Sequence, residues 1–295
     1  MDNLISRLDL DHISNSLIVR WTVFFIALGA LARVDIDAGR MIFNEDSIYP
    51  FLILTLVPLC SILKIGWQAI SLVRRCCIPI GIVVCLMNAV ATLSDMSSVQ
   101  SFFDAQKLFY APLAFGIFLS FLLSLIEPKT KDELNLSPFE ICSVYLLLIL
   151  AVPAAVFSIT GDITRTNQFL HVPAMMTLLV IGLICFVYPD FQGYTLIQKA
   201  YKASLASVMT FSCYGVALHI YGFVSGSQEV ITSVMANSLL GIMYGSLIAL
   251  FAISAGGQSF QTKDQKTFFD WCMIGFYVFF VLIVLPPPSL LDAFG

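Results

Sequence analysis

The chain has 295 residues, of which 59% are hydrophobic and only 12% are charged, and its mean hydropathy is +0.91. A soluble globule carries about a quarter of its residues as charged side chains, so this composition excludes an ordinary soluble domain and predicts an integral membrane protein. The 15 basic and 19 acidic residues leave a net charge of -4. This balance excludes the basic footprint of a nucleic-acid-binding protein.

Apolar stretches long enough to cross a bilayer follow one another along the whole chain. About 20 residues are needed for a hydrocarbon core about 30 Å thick. The stretches lie near 17–34, 47–66, 77–94, 107–126, 139–160, 170–189, 203–224, 231–255 and 268–287. The preceding segment, 1–16, is too acidic for a signal peptide. The sequence therefore predicts an all-α, polytopic transmembrane helical bundle of about nine spans.

Lysine and arginine are distributed unevenly between alternate connections. One side holds 11 of them: Arg7, Arg20, Lys64, Arg74, Arg75, Lys129, Lys131, Lys199, Lys202, Lys263 and Lys266. The opposite side holds 4: Arg33, Arg40, Lys107 and Arg165. Because basic loops stay in the cytoplasm, this pattern predicts a cytoplasmic N-terminus and an external C-terminus. We expect the bacterial inner (cytoplasmic) membrane as the location.

Two halves of the chain share short features at a fixed displacement. The pair Asp35-Ile36 and the later Gly66 recur as Asp162-Ile163 and Gly193, with the same displacement along the chain for both. We interpret this as two parallel four-helix units, 17–127 and 139–256, between the cytoplasmic segment 1–16 and a ninth helix at 268–287. Chance similarity among hydrophobic helices is the alternative.

Features of enzymes and metal sites are missing from the sequence. No phosphate-binding glycine loop, GxSxG or HExxH motif occurs, and the three histidines lie far apart. The eight cysteines are scattered, with only Cys76 and Cys77 adjacent, and none has metal-ligand spacing. We therefore predict no enzymatic activity, no metal site and no cofactor.

Two segments of the second unit carry a family resemblance. The first is FLHVPAMMTLLVIG at 169–182 with YPDF at 188–191, and the second is SQEVI at 227–231 with MANSLLGIMYG at 235–245. They resemble the second and last helices of the MotA/TolQ/ExbB superfamily of flagellar stators and energy-transducing proton channels. The resemblance covers about 120 residues and extends to the first unit only through the repeat.

The resemblance implies a ring of identical subunits around a single-pass partner that brings the proton-carrying Asp. It also implies that hydroxyl side chains of the last two helices line the ion path; the matching positions here are Thr210, Ser212, Ser238 and Ser246. The predicted spans carry almost no ionisable group at mid-membrane depth, so the titrating carboxylate would come from the partner. The chain departs from the flagellar members in lacking their large cytoplasmic region, which puts contact with a rotor in doubt.

Small residues on the same helices predict close helix packing. In lipid, small side chains let helix backbones approach one another. The candidates are Ala236, Gly241 and Gly245 on the eighth span and Gly215 on the seventh.

The sequence therefore predicts an inner-membrane subunit of an ion-driven channel or stator-like complex. Its expected partners are membrane lipid, a single-pass membrane protein and further copies of itself, with no nucleic acid. Two alternatives stay open. One is a non-conducting membrane scaffold derived from that family, and the other is a small secondary transporter built from two repeats. The transporter lacks a usual sign, because Pro79 and Pro112 have no clear mates in the second unit.

Overall fold

The computed structural model describes residues 17–37, 45–59, 69–94, 99–127, 136–188, 194–225 and 228–256. Within these ranges nearly all residues are helical and no strand occurs, which confirms the all-α prediction. The helices are α1 Leu17–Asp37, α2 Glu45–Leu59, α3 Ala69–Ser94, α4 Val99–Ile126, α5 Pro138–Thr160, α6 Val172–Val187, α7 Leu196–Ser225 and α8 Gln228–Gly256. A 3-10 helix, Ile163–Phe169, precedes α6. The predicted ninth span and the segment 1–16 lie outside the described residues.

Local sequence signals fix both ends of α5. Ser137 accepts a hydrogen bond from the Glu140 backbone N–H, and the Glu140 carboxylate accepts one from the Ser137 N–H at 2.6 Å. This capping box, with Pro138 in the first turn, satisfies N–H groups that a helix start leaves free. At the other end Gly161 takes φ 68° and its N–H donates to the Phe157 carbonyl. A residue without Cβ adopts this left-handed conformation at little cost.

Helices long and apolar enough to cross a membrane are present, judged by length and composition. Among the described residues they are Ile70–Thr92, Pro138–Thr160 and Ser238–Gly256. A fourth results if the 3-10 helix and α6, which meet at a bend of 58°, count as one span. Shorter apolar helices cover Ile18–Ala30, Ser47–Leu59 and Ala111–Ile126. These helices are compatible with a multi-pass membrane protein.

Helices α3 and α8 form the interior of the molecule. α3 packs against α4, α8 packs against α7, and α3 and α8 contact each other. Side chains of α3 such as Ile80, Val83 and Met87 are fully buried. A row of four neighbouring helices results, in the order α4, α3, α8, α7.

The remaining helices lie against this row. α2 packs on α3 and α5, α6 packs on α7 and α8, and α1 packs on α4. Large apolar side chains of α5 and α6, including Leu150, Leu179 and Ile184, are more than half exposed. Lipid accepts such a surface, whereas water would penalise it.

Candidate functional site

Close packing of α7 on α8 depends on two glycines of α8. A Cβ atom added to Gly241 would overlap the ring of Phe211, and one added to Gly245 would lie 2.9 Å from a methyl group of Val208. Phe211 is itself almost fully buried, so its ring cannot move aside for an added methyl group without displacing its neighbours. The two predicted packing positions therefore lie where α7 and α8 approach each other closely.

The other two packing candidates are less informative. Gly215 is buried on α7. Ala236 lies on α8, but its side chain is outside the described residues.

Three of the four predicted ion-path residues lie inside the molecule. Ser212 on α7 and Ser238 and Ser246 on α8 are at most 1% exposed. The hydroxyl oxygens of Ser238 and Ser246 make no hydrogen bond. Thr210, the fourth candidate, is exposed on α7. Since an unpaired buried hydroxyl is costly in an apolar surrounding, these two serines are open to a further polar partner.

Three more buried hydroxyls belong to the same helices and were not among the predicted residues. Ser204 and Ser207 donate to carbonyls of their own helix, at Tyr201 and Ala203. Ser254 of α8 lies 3.6 Å from the sulfur of Cys76 on α3. Ser254 could have been predicted from the sequence, because it lies at helical spacing from Ser246 on the same helix. The contact places polar groups between α3 and α8 as well.

The hydroxyl of Tyr244 ties α8 to the segment that leads into α6. It donates to the carbonyl of Phe169 and accepts a hydrogen bond from the N–H of His171 at 2.9 Å. His171 also caps α6, because its Nδ1 accepts from the Ala174 N–H. One side chain thus holds the bend between the 3-10 helix and α6.

A short polar turn begins this segment. Asp162 caps the 3-10 helix, and its Oδ1 accepts hydrogen bonds from the N–H and the hydroxyl of Thr164, both at 2.8 Å. These donors, with the nearby Arg165, hold the pKa of Asp162 below its usual value. The carboxylate is fully exposed and is therefore an acceptor within the turn, without features of a catalytic base.

An apolar groove of about 730 Å³ opens between α5, α6, α7 and α8. Its wall includes Leu179, Leu183 and Leu247, and Tyr244 and Lys199 supply polar groups. The Lys199 ammonium donates to the Phe186 carbonyl at 3.0 Å and lies 4.6 Å from the centre of the Phe186 ring. The Lys199 ammonium and the Tyr244 hydroxyl therefore make contacts within the chain.

A similar close approach joins α3 and α4 in the first half. A Cβ added to Gly81 would lie 2.9 Å from the Pro112 carbonyl oxygen, and one added to Gly116 would lie 2.5 Å from the Cys77 carbonyl oxygen. Both long helix pairs, α3–α4 and α7–α8, are thus packed through glycine. Only the glycines of the second pair were predicted as packing positions from the sequence.

No family model, no curated protein and no solved structure matches the chain.

Proposed function

We propose that the chain is a multi-pass subunit of an ion-driven, channel-forming or stator-like complex in the bacterial inner membrane. A single-pass partner would complete the complex by supplying the titrating Asp. The observation that carries the proposal is the head-to-tail packing of two similar four-helix units, in the row α4, α3, α8, α7.

Helix boundaries support the tandem duplication. The second and third helices begin at Glu45 and Ala69 in the first unit, and at Val172 and Leu196 in the second. Both starts are therefore shifted by one common displacement, which is also the displacement of the short sequence features noted above. The starts of the fourth helices, α4 and α8, are separated by nearly the same length of chain.

Packing within the two units follows one scheme. In each unit the third helix packs on the fourth and on the second, and the fourth packs on the first and on the second. Independent helices of a chance arrangement have no reason to repeat all four pairings. The agreement favours two copies of one fold over chance similarity among hydrophobic helices.

The contact between the units supports assembly into a ring. The third helix of the first unit, α3, contacts the fourth helix of the second, α8, and the second helix of the first unit contacts the first of the second. Such a head-to-tail contact uses two different surfaces, and its repetition generates a ring when the rotation between copies closes. The equivalent surfaces, α4 and α7, form no extensive contact with each other among the described residues. In a ring, α7 of one copy would pack on α4 of the next.

The chemistry of the central helices fits an ion path that lacks its own carboxylate. The segments Ile70–Thr92 and Ser238–Gly256 contain no Asp or Glu. They do contain the buried, unpaired hydroxyls of Ser238 and Ser246. Hydroxyls can solvate a moving ion but cannot take up a proton at neutral pH. A carboxylate from a partner helix would supply that step.

Native mass spectrometry of the tagged protein, extracted in mild detergent, tests the assembly. We expect several copies of the chain together with a single-pass protein that has an Asp inside its membrane span. A monomer or simple dimer without such a companion would contradict the proposal.

The chain lacks the large cytoplasmic region of the flagellar members, because the connections between its second and third helices are short. This difference favours a second candidate function, a non-conducting scaffold. Only the residues between Leu59 and Ala69, and between Val187 and Leu196, separate the second and third helices of the units. Proton flux into proteoliposomes of the purified complex separates the two functions. Conduction should fall in Ser238→Val and persist in Ser143→Val, whose exposed hydroxyl bonds only to its own helix at Phe139. Absence of flux in the unaltered complex would favour the scaffold.

A further inference from the structure

Two arginines meet one carboxylate where α1 and α3 begin and α4 ends. The Nε of Arg74 lies 2.9 Å from Oε2 of Glu127. Arg20 donates from Nε to the Leu125 carbonyl and from Nη2 to the Glu127 carbonyl, the latter at 2.6 Å. These contacts occupy both the carboxylate and the free carbonyls at the end of α4.

A third arginine, Arg75, lies beside them without a comparable partner. Its Nε and Nη2 atoms are buried and make no hydrogen bond. Glu127 attracts Arg75 and Arg74 repels it, and Tyr201 at the start of α7 is the other neighbour from a different helix. A guanidinium is always charged, so burying two of its nitrogen atoms without an acceptor is costly.

The charges of this arginine cluster, defined as Arg20, Arg74, Arg75 and Glu127, do not balance. Three positive charges face one negative charge among the described residues. Glu127 pairs with Arg74 and accepts no hydrogen bond from Nε or Nη2 of Arg75. The group that would satisfy the cluster is therefore an anion with at least two acceptor oxygens, since the planar fork of Arg binds carboxylate or phosphate through two parallel hydrogen bonds.

The position of the cluster selects between these two anions. Arg75 lies five residues into the apolar segment that begins at Ile70, or about 7.5 Å along the helix axis. This end carries most of the basic residues and is the predicted cytoplasmic face. Side chains on a helix lean toward its N-terminus, which is the predicted cytoplasmic end of α3, so the long Arg75 side chain can extend back to the membrane surface. There an anionic membrane presents phosphodiester groups, which attract basic side chains.

We propose that Arg75, supported by Arg74, binds the phosphodiester group of an anionic phospholipid at the predicted cytoplasmic face. The lipid headgroup would neutralise the cluster and join α3 to α7 beside Tyr201. The proposal rests on the membrane placement proposed above, but it requires neither a partner protein nor ion conduction.

Thermal unfolding of the purified full-length chain in detergent tests the proposal. Three additives are compared at equal concentration: phosphatidylglycerol, phosphatidylcholine and inorganic phosphate. We expect phosphatidylglycerol to raise the unfolding temperature more than either of the others. In a lipid titration, Arg75→Gln should weaken the apparent affinity for phosphatidylglycerol about tenfold, because a charge-assisted pair of hydrogen bonds is lost.

Two further variants keep the test decisive. Lys202→Gln removes one positive charge from the same face outside the cluster, and it should keep the preference for phosphatidylglycerol. Arg75→Lys keeps the charge but loses the planar fork, so its affinity should fall between those of the unaltered protein and Arg75→Gln. It also carries the test if Arg75→Gln fails to fold.

Three results would overturn the proposal. They are equal stabilisation by phosphatidylcholine, an unchanged lipid preference in both Arg75 variants, and full stabilisation by inorganic phosphate, which would identify a soluble anion as the ligand. The number of copies and the presence of a partner, which decide the proposed function, are separate readouts. Either proposal can therefore fail without the other.

Discussion

Gly241 is a residue at which a small change should have a large effect. A Cβ atom there would overlap the buried ring of Phe211. Gly241→Ala should destabilise the protein by about 1–3 kcal/mol, the usual cost of overpacking a filled interior. Thermal unfolding in detergent measures the effect.

A matched glycine serves as the control. Gly182 in α6 has nothing within 4 Å of an added Cβ. Gly182→Ala should therefore leave the stability unchanged or raise it slightly, because alanine favours a helix by about 1 kcal/mol over glycine. Equal destabilisation by both substitutions would show that the α7–α8 contact has no special role.

Asp162 gives a prediction about pH. Because its pKa is lowered in the folded chain, the ionised carboxylate stabilises the turn fully above the unfolded value of about 3.9. This stabilisation is lost as the pH falls through the folded pKa. Thr164→Val removes the strongest donor, so the Asp162 pKa should rise toward its ordinary value. Carbon NMR titration of the carboxyl group measures it.

The control for this titration is the nearby Thr166. The hydroxyl of Thr166 donates to the Ile163 carbonyl and not to Asp162. Thr166→Val should therefore leave the Asp162 pKa in place. A pKa that is unchanged in Thr164→Val would assign the shift to the Thr164 backbone N–H and to Arg165 instead.

At the scale of single residues, hydropathy and spacing predicted which residues pack between helices better than they predicted the surroundings of each side chain. Gly241 and Gly245 were predicted as packing residues from their small size and spacing, and they lie at a close approach between α7 and α8. The exposure of Thr210 could not be predicted, because it depends on which face of α7 meets α8. Arg75 was predicted only as a basic residue of a connection between two spans. Its unbonded nitrogen atoms could not be predicted, because they depend on how Arg74 and Arg75 lie relative to Glu127.

The bend before α6 is the element whose stability depends most on one distant side chain. Tyr244→Phe leaves the Phe169 carbonyl and the His171 N–H without their shared hydroxyl. Loss of a partly buried hydrogen-bonding group should cost about 1–3 kcal/mol. Hydrogen exchange at the His171 amide should accelerate, and mass spectrometry of the peptide that contains it measures the change.

Tyr145→Phe is the control for the bend. Tyr145 contacts Phe251 through its ring at a centroid distance of 5.8 Å, and that contact survives loss of the hydroxyl. Exchange at His171 should therefore stay unchanged in this variant. Unaltered exchange in Tyr244→Phe as well would mean that other contacts hold the bend.

Helix positions were largely predictable because lipid-crossing stretches need length and apolarity alone. Predicted spans at 17–34 and 139–160 agree with α1 and α5 within a few residues. α3 begins at Ala69 rather than 77, since Arg74 and Arg75 lower the local hydropathy but remain helical beside Glu127. The 3-10 helix was missed, because it depends on the Tyr244 hydroxyl from another part of the chain.

The arrangement of the whole molecule was less accessible from sequence than its parts. Nothing in the spacing of apolar residues specifies that α3 and α8 occupy the interior or that they contact each other. The α3–α8 contact includes the polar pair Cys76 and Ser254, while Gly81 and Gly116 let α3 and α4 approach each other closely. The displacement between the repeated features is visible in the sequence, and the starts of the second and third helices of each unit follow it.

The predicted orientation places the 3-10 helix outside the cell and the start of α7 in the cytoplasm. Asn167 and Thr195 are exposed at these two places, and α6 separates them. In a variant whose cysteines are replaced by alanine, Asn167→Cys should react with a membrane-impermeant maleimide in intact cells. Thr195→Cys should react only after permeabilisation.

This pair of sites controls for itself, because each cysteine must react with the same reagent once the membrane is opened. In intact cells, labelling of Asn167→Cys without labelling of Thr195→Cys would place α6 across the bilayer. This agrees with the 3-10 helix and α6 forming one span that is bent by 58°. Labelling of both sites in intact cells would instead make the bent pair a re-entrant segment that returns to its own side. In that case the number of spans falls, the second unit no longer matches the first in topology, and the tandem-duplication proposal fails with it.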